Sequence, residues 1–477
     1  MTSLFFTIIN DWELASIGVT LLISAYLLID LIAAVLWPPP PRRYPKQARF
    51  PMVSVVIPVY NEPLEIVRAS IETWKAVRYP KFEIIVADDS TEPLELNDPS
   101  VRVLRRASRE GFKGGALRNA VDHLDPASEW MVVFDADFLV DPDVLVRFTE
   151  HYAPDVGGVQ GFQAMGANQH PTYLSRFSES FHYVANTLLA GRYQLKGFVG
   201  VQGTVQSYRV AAIREIGGLA PYSTANEDLD TTFRLRKAGW KIVYDPRIVG
   251  RGIAPERYKV FFIQATRWTS STVREYRRHY LSYLRSRNVP AREKLDAFFF
   301  LMTWTNSLVV TPTLLFLPWA IWNLHLIPLW LSLLITVLPV TLFAIPTLLG
   351  TPARVGLIGW VGYYVLLLPG YIVMFRASLL GLFTDPGFAR TSKVSAAATP
   401  GELTFGSARR RAAKREPTLP MGSGSTAHRA TCTQCGRTLS HREVLFFAVG
   451  GLDLDGLTCG HCLRREEWLR GRVPAPG

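Results

Sequence analysis

Four stretches of the chain are almost free of charge, and each is about as long as a bilayer core is thick: Leu14–Trp37, Ala297–Trp322, Leu326–Gly350 and Val355–Phe375. Such segments must be buried in lipid or beneath other protein, so a wholly water-soluble fold suits the chain poorly. The balance of 48% hydrophobic to 19% charged residues points the same way and excludes a disordered polymer. Leu14–Trp37 is broken only by Asp30 and lacks the basic start and small-residue cleavage pattern of a signal peptide, so 14–37 is predicted to remain as a transmembrane helix. Asp11 and Glu13 precede it, while Arg42, Arg43, Lys46 and Arg49 follow, so the chain is expected to enter the cytoplasm after Trp37. Residues 297–350 are predicted as two more transmembrane helices joined near His325. The last stretch, within 353–383, leaves two readings open. Its length and hydropathy suit a crossing; the flanking Arg354 and Arg376 and the basic residues beyond suit a helix lying in the interface, which keeps the C-terminus cytoplasmic. The interfacial reading is adopted here.

Between the first span and the second, residues 50–290 alternate short β-branched runs with helical stretches. Val53–Ile57, Phe82–Val86, Val101–Leu104 and Trp130–Phe134 read as strands of a mostly parallel sheet with helices on both faces, an α/β domain. Two of the runs end in carboxylates, Asp88-Asp89 and Asp135-Ala136-Asp137. Ligands of open α/β sheets bind at the carboxyl ends of strands, so these four acids are predicted to lie near one another.

Each acidic cluster has a plain alternative. Asp88-Asp89-Ser90 would serve as a turn or helix cap. Asp135 and Asp137 have the spacing to hold one hard cation, Mg²⁺ or Mn²⁺, which takes oxygen ligands and assists a departing diphosphate. Asn226-Glu227-Asp228 opens a helical run; the acids suit a helix N-terminus, and equally a carboxylate that takes a proton from an attacking hydroxyl. In Gln264-Ala265-Thr266-Arg267-Trp268, Arg267 offers a planar fork for phosphate and Trp268 a face for a sugar ring. The strongly basic helix beyond it would also suit a bilayer surface.

In this order, Asp88-Asp89-Ser90, Asp135-Ala136-Asp137, Glu227-Asp228 and Gln264-x-x-Arg267-Trp268 resemble the motif set of membrane-integrated family 2 glycosyltransferases, above all the processive cellulose, mannan and hyaluronan synthases. Pro58–Glu62 resembles the opening nucleotide-binding strand and turn. Arg109–Leu117 resembles the family's Lys-Ala-Gly-Ala-Leu segment with Gly114 in place of Ala, Gly203-Thr204 its acceptor-side Gly-Ser/Thr, and Phe388–Lys393 its gating loop. The resemblance implies a GT-A (Rossmann-like) catalytic fold and inverting transfer from a UDP-sugar. Asp88, Asp89, Asp135, Asp137, Lys113, Arg267, Thr391 and Lys393 would hold the donor, and Asp135 and Asp137 its Mg²⁺ or Mn²⁺. Asp228, beside Glu227, would be the base. Gln264, Trp268, Gly203 and Thr204 would line the acceptor site. The sequence departs from the family in having Asn226 where a Thr is usual, and in turning polar at Thr384 where two further crossings are usual.

Residues 384–430, rich in Ala, Ser, Arg and Pro, are predicted to be a gating-loop-like segment and flexible basic linker. The net charge is +12, and about half of it comes from the last hundred residues. Their arginines lack interleaved aromatics, so no nucleic-acid partner is expected. All four cysteines fall in one pattern within 431–470, Cys432-x-x-Cys435 and Cys459-x-x-Cys462, the spacing of a zinc-ribbon-like module with one structural Zn²⁺. Such a module would recruit a second copy or an accessory protein. The expected whole is a multi-pass cell-membrane enzyme, with catalytic domain and C-terminus cytoplasmic, extending a β-linked polysaccharide. Single transfer to a diacylglycerol- or ceramide-type lipid, or a non-catalytic membrane scaffold, are the alternatives.

Overall fold

In a computed structural model, the described residues are 2–36, 50–168, 171–220, 225–323 and 361–384 apart from 364, with a few isolated positions between 337 and 345. Most of the predicted second C-terminal span, the linker with Thr391 and Lys393, and the cysteine module with Cys432, Cys435, Cys459 and Cys462 lie outside them.

The four apolar runs form strands as expected: β1 (Met52–Val59), β2 (Phe82–Asp88), β3 (Val101–Arg105) and β4 (Ser128–Val133), parallel and in the order β3-β2-β1-β4. Parallel strands buried on both faces need continuous apolar sequence, which β1 and β4 supply. One face packs under α2 (Leu64–Lys75), around Trp74, Phe134 and Phe148. The other packs under α3 (Phe112–Val121), around Leu117, Met131 and Tyr208.

The second half of the sheet adds reversed strands to one further parallel pair. Beyond β4 come β7 (Gln206–Arg209), β6 (Val156–Met165), β8 (Lys241–Gly252) and the short β5 (Leu139–Val140); β7 runs antiparallel to both its neighbours, and β5 is antiparallel to β8. The cause is the loop that precedes β7. It crosses over the carboxyl end of β4, so that Gln206 pairs with Val133 and the strand must run back down the sheet.

The remaining described helices are α4 (Val144–Thr149), α6 (Val210–Glu215), α7 (Glu227–Ala238), and five that make a helical layer: α1 (Thr2–Leu36), α5 (Tyr173–Gln194), α8 (Tyr258–Arg285), α9 (Ala291–Thr305) and α10 (Ser307–Asn323), with α11 (Leu367–Phe383) beside them. Leu14–Leu36 and Ala291–Leu315 are long and apolar enough to cross a membrane. The latter begins before the expected 297 and is interrupted at Asn306, which separates α9 from α10. One face of α1 packs inward through Ser16, Thr20, Leu27 and Leu31, while Leu21, Leu28, Ile29 and Val35 are exposed. α11 is the described part of the third C-terminal segment. It lies against α8 so closely that a Cβ at Gly381 would come within 2.4 Å of the Ser270 carbonyl, and against α10, where Thr311 donates to the Tyr371 carbonyl at 3.1 Å.

Candidate active site

The carboxyl ends of β1, β2 and β4 and the first turns of α3 and α7 meet over one edge of the sheet, and Lys113 ties them together. Its ammonium donates to Asp135 Oδ1 and to the Gly203 carbonyl, both at 2.6 Å, and lies 3.8 Å from Glu227 Oε1. Burial alone would push Lys113 down, but Asp135, Glu227 and Asp228 outweigh it and hold the group charged. Three sequence-predicted acids from two separate motifs are thus brought to one cation.

Asp228 sits in the first turn of α7. Burial, and then the neighbouring Glu227, push its carboxyl up to about 7, against the opposing pull of Lys113. A carboxyl shifted upward toward neutrality is suited to the work of a general base. α3 and α7 can approach because residue 114 is glycine: a Cβ there would lie 2.5 Å from the Ala220 Cβ and 2.8 Å from the Glu227 Cβ. The departure Gly114 therefore follows from how Glu227 is seated.

The loop carrying Gly203 and Thr204 is held by three glutamines that sequence reasoning missed. Gln202 N donates to Gln160 Oε1 at 2.7 Å, Gly203 N to Gln206 Oε1 at 2.9 Å, and Gln163 Nε2 to the Gln202 carbonyl at 3.0 Å. Gly203 has φ +85°, and a Cβ there would stand 3.3 Å from Asp228 Oδ2, so both conformation and space call for glycine. Thr204 Oγ1 accepts from Asp135 N at 3.0 Å, which fixes the acid loop to the glycine loop. The signal available in the sequence was the recurrence of Gln at 160, 163, 202 and 206.

Asp88 and Asp89 are built into the wall beside this cluster. Asp88 is 1% exposed and accepts from Ser90 N at 2.9 Å, Leu94 N at 3.0 Å and Arg105 Nη1 at 2.8 Å. Burial pushes it up, yet these bonds outweigh burial and hold the carboxyl below its ordinary value. Asp89 takes a two-pronged contact from Arg106, Nε to Oδ1 at 2.7 Å and Nη2 to Oδ2 at 2.6 Å. Arg106 continues to the Glu110 and Phe112 carbonyls at 2.6 and 2.9 Å, the start of α3. The pair thus organises the turn after β2 and the entry to α3. Arg105 ends β3, the strand paired with β2, as the register partner of Asp88, and Arg106 follows it. Across the cleft, the Arg109 guanidinium lies 3.3 Å over the ring of Tyr60.

Gln264, Arg267 and Trp268 lie on one turn of α8, and Arg267 feels the charge of the cluster. Burial pulls Arg267 down, while the charges of Glu227, Asp135 and Asp228 oppose that pull. Gln264 is 6% exposed. Trp268 is braced edge-to-face by His182 of α5, ring centroids 5.8 Å apart, and His182 Nδ1 is anchored on the Ser178 carbonyl at 2.8 Å. His182 was not singled out from sequence, where nothing distinguished it from other histidines.

Oxygen ligands and negative charge are what a hard divalent cation requires. Asp135, Glu227 and Asp228 are three carboxylates set against Lys113 and Arg267, two cations, and Asp137 adds a fourth acid two residues from Asp135, its Oδ2 taking Ile253 N at 3.3 Å. The surplus of acid and the all-oxygen donor set fit Mg²⁺ or Mn²⁺. Two other acid–histidine groups, Glu150–His151–Asp245 and Asp230–Glu275–His279, are internally neutralised by Arg247 and by Arg234 with Arg278, and read as buried ion-pair networks.

A mixed sheet with acids on the strand ends, a glycine loop over them and a carboxylate at a helix start fits the expected GT-A fold. Residues 51–271 match the family model described as "Glycosyltransferase like family 2". Among curated proteins, the chain is 30% identical over 321 residues to a probable glucomannan 4-β-mannosyltransferase 10 of Arabidopsis thaliana, covering 60% of this chain and 57% of that one. It is 27% identical over 446 residues to glucomannan 4-β-mannosyltransferase 2 of the same plant, covering 82% and 79%. Against most of these relatives the chain spans little more than half their length, as with the 52% of a probable rice glucomannan 4-β-mannosyltransferase 4, 31% identical. Among solved structures, the mannosyltransferase PcManGT from Pyrobaculum calidifontis, in complex with GDP-Man and Mn²⁺, superposes with TM-score 0.55 at 18% identity over 78% of this chain and 99% of that one. That likeness establishes the GT-A fold.

Proposed function

We propose that the protein is a metal-dependent, inverting mannosyltransferase of the membrane, which extends a β-linked polysaccharide from a nucleotide-activated sugar. The observation that carries this reading is the cluster at the strand ends: Lys113 between Asp135 and Glu227, with Asp228 beside Glu227 in the first turn of α7 and next to the Gly203 loop. The mannosyl relatives favour GDP-mannose over the UDP-sugar that the motif resemblance implied.

When bound, the divalent cation held by Asp135 and Asp137 would neutralise the departing diphosphate. Lys113 and Arg267 would share that charge, and the wall built on Asp88 and Asp89 would receive the nucleoside. Trp268, braced by His182, would stack the acceptor ring so that its hydroxyl lies in line with the anomeric carbon. The hydroxyl oxygen forms the new glycosidic bond, its proton passes to Asp228, and the anomeric C–O bond breaks with its electron pair leaving on the diphosphate. One displacement of this kind inverts configuration and needs no covalent intermediate.

α1, the α9–α10 segment and the expected second C-terminal span, Leu326–Gly350, would cross the bilayer, which keeps the catalytic domain and the C-terminus in the cytoplasm with Val355–Phe375 lying at the interface. Thr391 and Lys393 would close over the donor, and Cys432, Cys435, Cys459 and Cys462 would hold Zn²⁺ in a module that recruits a second copy or an accessory protein. The reading is tested by incubating the full chain in lipid with radiolabelled GDP-mannose, UDP-glucose and other nucleotide-sugars. Alcohol-insoluble, mannanase-sensitive label from GDP-mannose is expected. Label confined to the lipid extract would replace the polymer by a glycolipid, and label from UDP-sugars alone would remove mannose as the sugar.

A further inference from the structure

Asp30, the one charge in the first apolar stretch, takes no part in the chemistry above, yet it is 1% exposed. A buried charge is retained at a cost unless it is paired. Its partner is Arg192, at the last turn of α5, whose Nε lies 3.6 Å from Asp30 Oδ2 and whose guanidinium sits 4.5 Å from the ring centroid of Phe300 on α9. One turn before Phe300, Asp296 Oδ2 accepts from Phe198 N at 2.6 Å. Two glycines make these approaches feasible. A Cβ at Gly191 would stand 1.9 Å from the Asp30 carbonyl, and one at Gly197 would stand 2.6 Å from Asp296 Oδ2.

Phe198 belongs to the segment that joins α5 to β7 and carries Gly203 and Thr204. It is 1% exposed and stacks at 5.4 Å on Phe233 of α7, the helix that begins at Glu227 and Asp228. At the other end of the segment, Gly203 gives its carbonyl to Lys113 and leaves room for Asp228. A continuous set of contacts therefore runs from the first apolar helix to the catalytic carboxylate.

We infer that Asp296 is a positioning residue: by holding the Phe198 amide it sets the 196–204 loop against Asp228, and Arg192 ties that anchor to α1 through Asp30. This rests on the transferase reading, because it gives that loop the acceptor side of the reaction.

The test uses the full chain in lipid nanodiscs, with hydrogen exchange of residues 196–204, nucleotide-sugar affinity and transfer rate read together. In Asp296→Ala, amide exchange in the loop rises at least ten-fold and kcat falls by about ten-fold, while donor affinity stays within about two-fold, since only the acceptor geometry is loosened. Asp296→Asn keeps a side-chain oxygen for the Phe198 amide and retains loop protection and most of kcat. Should Asp296→Ala not fold, Asp296→Leu, with the same branching and heavy-atom count but without an acceptor, carries the same expectation. Unchanged loop exchange in the Ala or Leu variant, or equal damage in Asn and Ala, overturns the positioning role. A wild-type chain that transfers no sugar overturns the reading of function instead.

Discussion

Asp228 carries the sharpest consequence at the scale of a single residue. Asp228→Asn should bind nucleotide-sugar with near-normal affinity and lose transfer by about 100-fold or more, the usual weight of a general base; isothermal titration and turnover on one preparation decide it, and wild-type turnover would remove Asp228 from the role. Stability gives an independent reading. A carboxyl raised from its ordinary range to about 7 binds a proton more tightly folded than unfolded, so it weakens the fold once pH exceeds the unfolded value, and fully above 7. In metal-free protein, Asp228→Asn should therefore raise the melting temperature at pH 8 and leave it nearly unchanged at pH 4. The gain corresponds to about 1–2 kcal/mol once screening at a half-buried site is allowed for. Transfer by the wild type should fall as pH drops below 7 and this carboxylate protonates. The identity of this acid was readable in the linear sequence. Its raised proton affinity was not, because that depends on Glu227 beside it, Lys113 from another helix and the burial both share.

At the scale of elements, the site depends on how near α3 comes to α7. Gly114→Ala would push a methyl group against the Ala220 and Glu227 side chains, at 2.5 and 2.8 Å from their Cβ atoms. Overpacking of this kind costs about 1–3 kcal/mol. The expected result is a lower melting temperature together with weaker donor binding, since Lys113 is the next-door residue on α3 and Glu227 is displaced with α7. A variant with unchanged nucleotide-sugar affinity would show that the two helices can separate without disturbing the site. The strands of the parallel half were legible because each is a compact apolar run closed by an acid. The reversal at β7 was not: Gln206–Arg209 is short and polar, and its direction follows from a loop that crosses the end of β4. The arginines on Asp88 and Asp89 escaped notice for a related reason, since strand pairing, which sequence proximity does not reveal, sets Arg105 beside Asp88.

For the molecule as a whole, the catalytic domain, the helices around it and the C-terminal segment pose separable questions. Truncation after Arg415 should leave sugar transfer intact, because every residue given a role in the chemistry lies before it. A truncated chain that loses transfer would place the cysteine module in the catalytic cycle. Labelling single cysteines introduced into the tail, with the native four replaced, by an impermeant thiol reagent on intact cells should give no signal if the tail is cytoplasmic. Labelling from outside would overturn the interfacial placement of Val355–Phe375, and with it the reducing compartment that a thiolate zinc site favours.

The linear sequence by itself determined the α/β class, the apolar helices, the ordered acids and the aromatic–arginine turn of α8. Periodicity, charge and motif order are local properties, and they survive without knowledge of what lies nearby. The tertiary structure alone decided which groups share a charge field: Lys113 among Asp135, Glu227 and Asp228, Arg106 on Asp89, His182 behind Trp268, and Asp30 against Arg192. Packing acts only at contact and electrostatic coupling is screened over about 10 Å, and only the folded chain brings residues so far apart in sequence within that range.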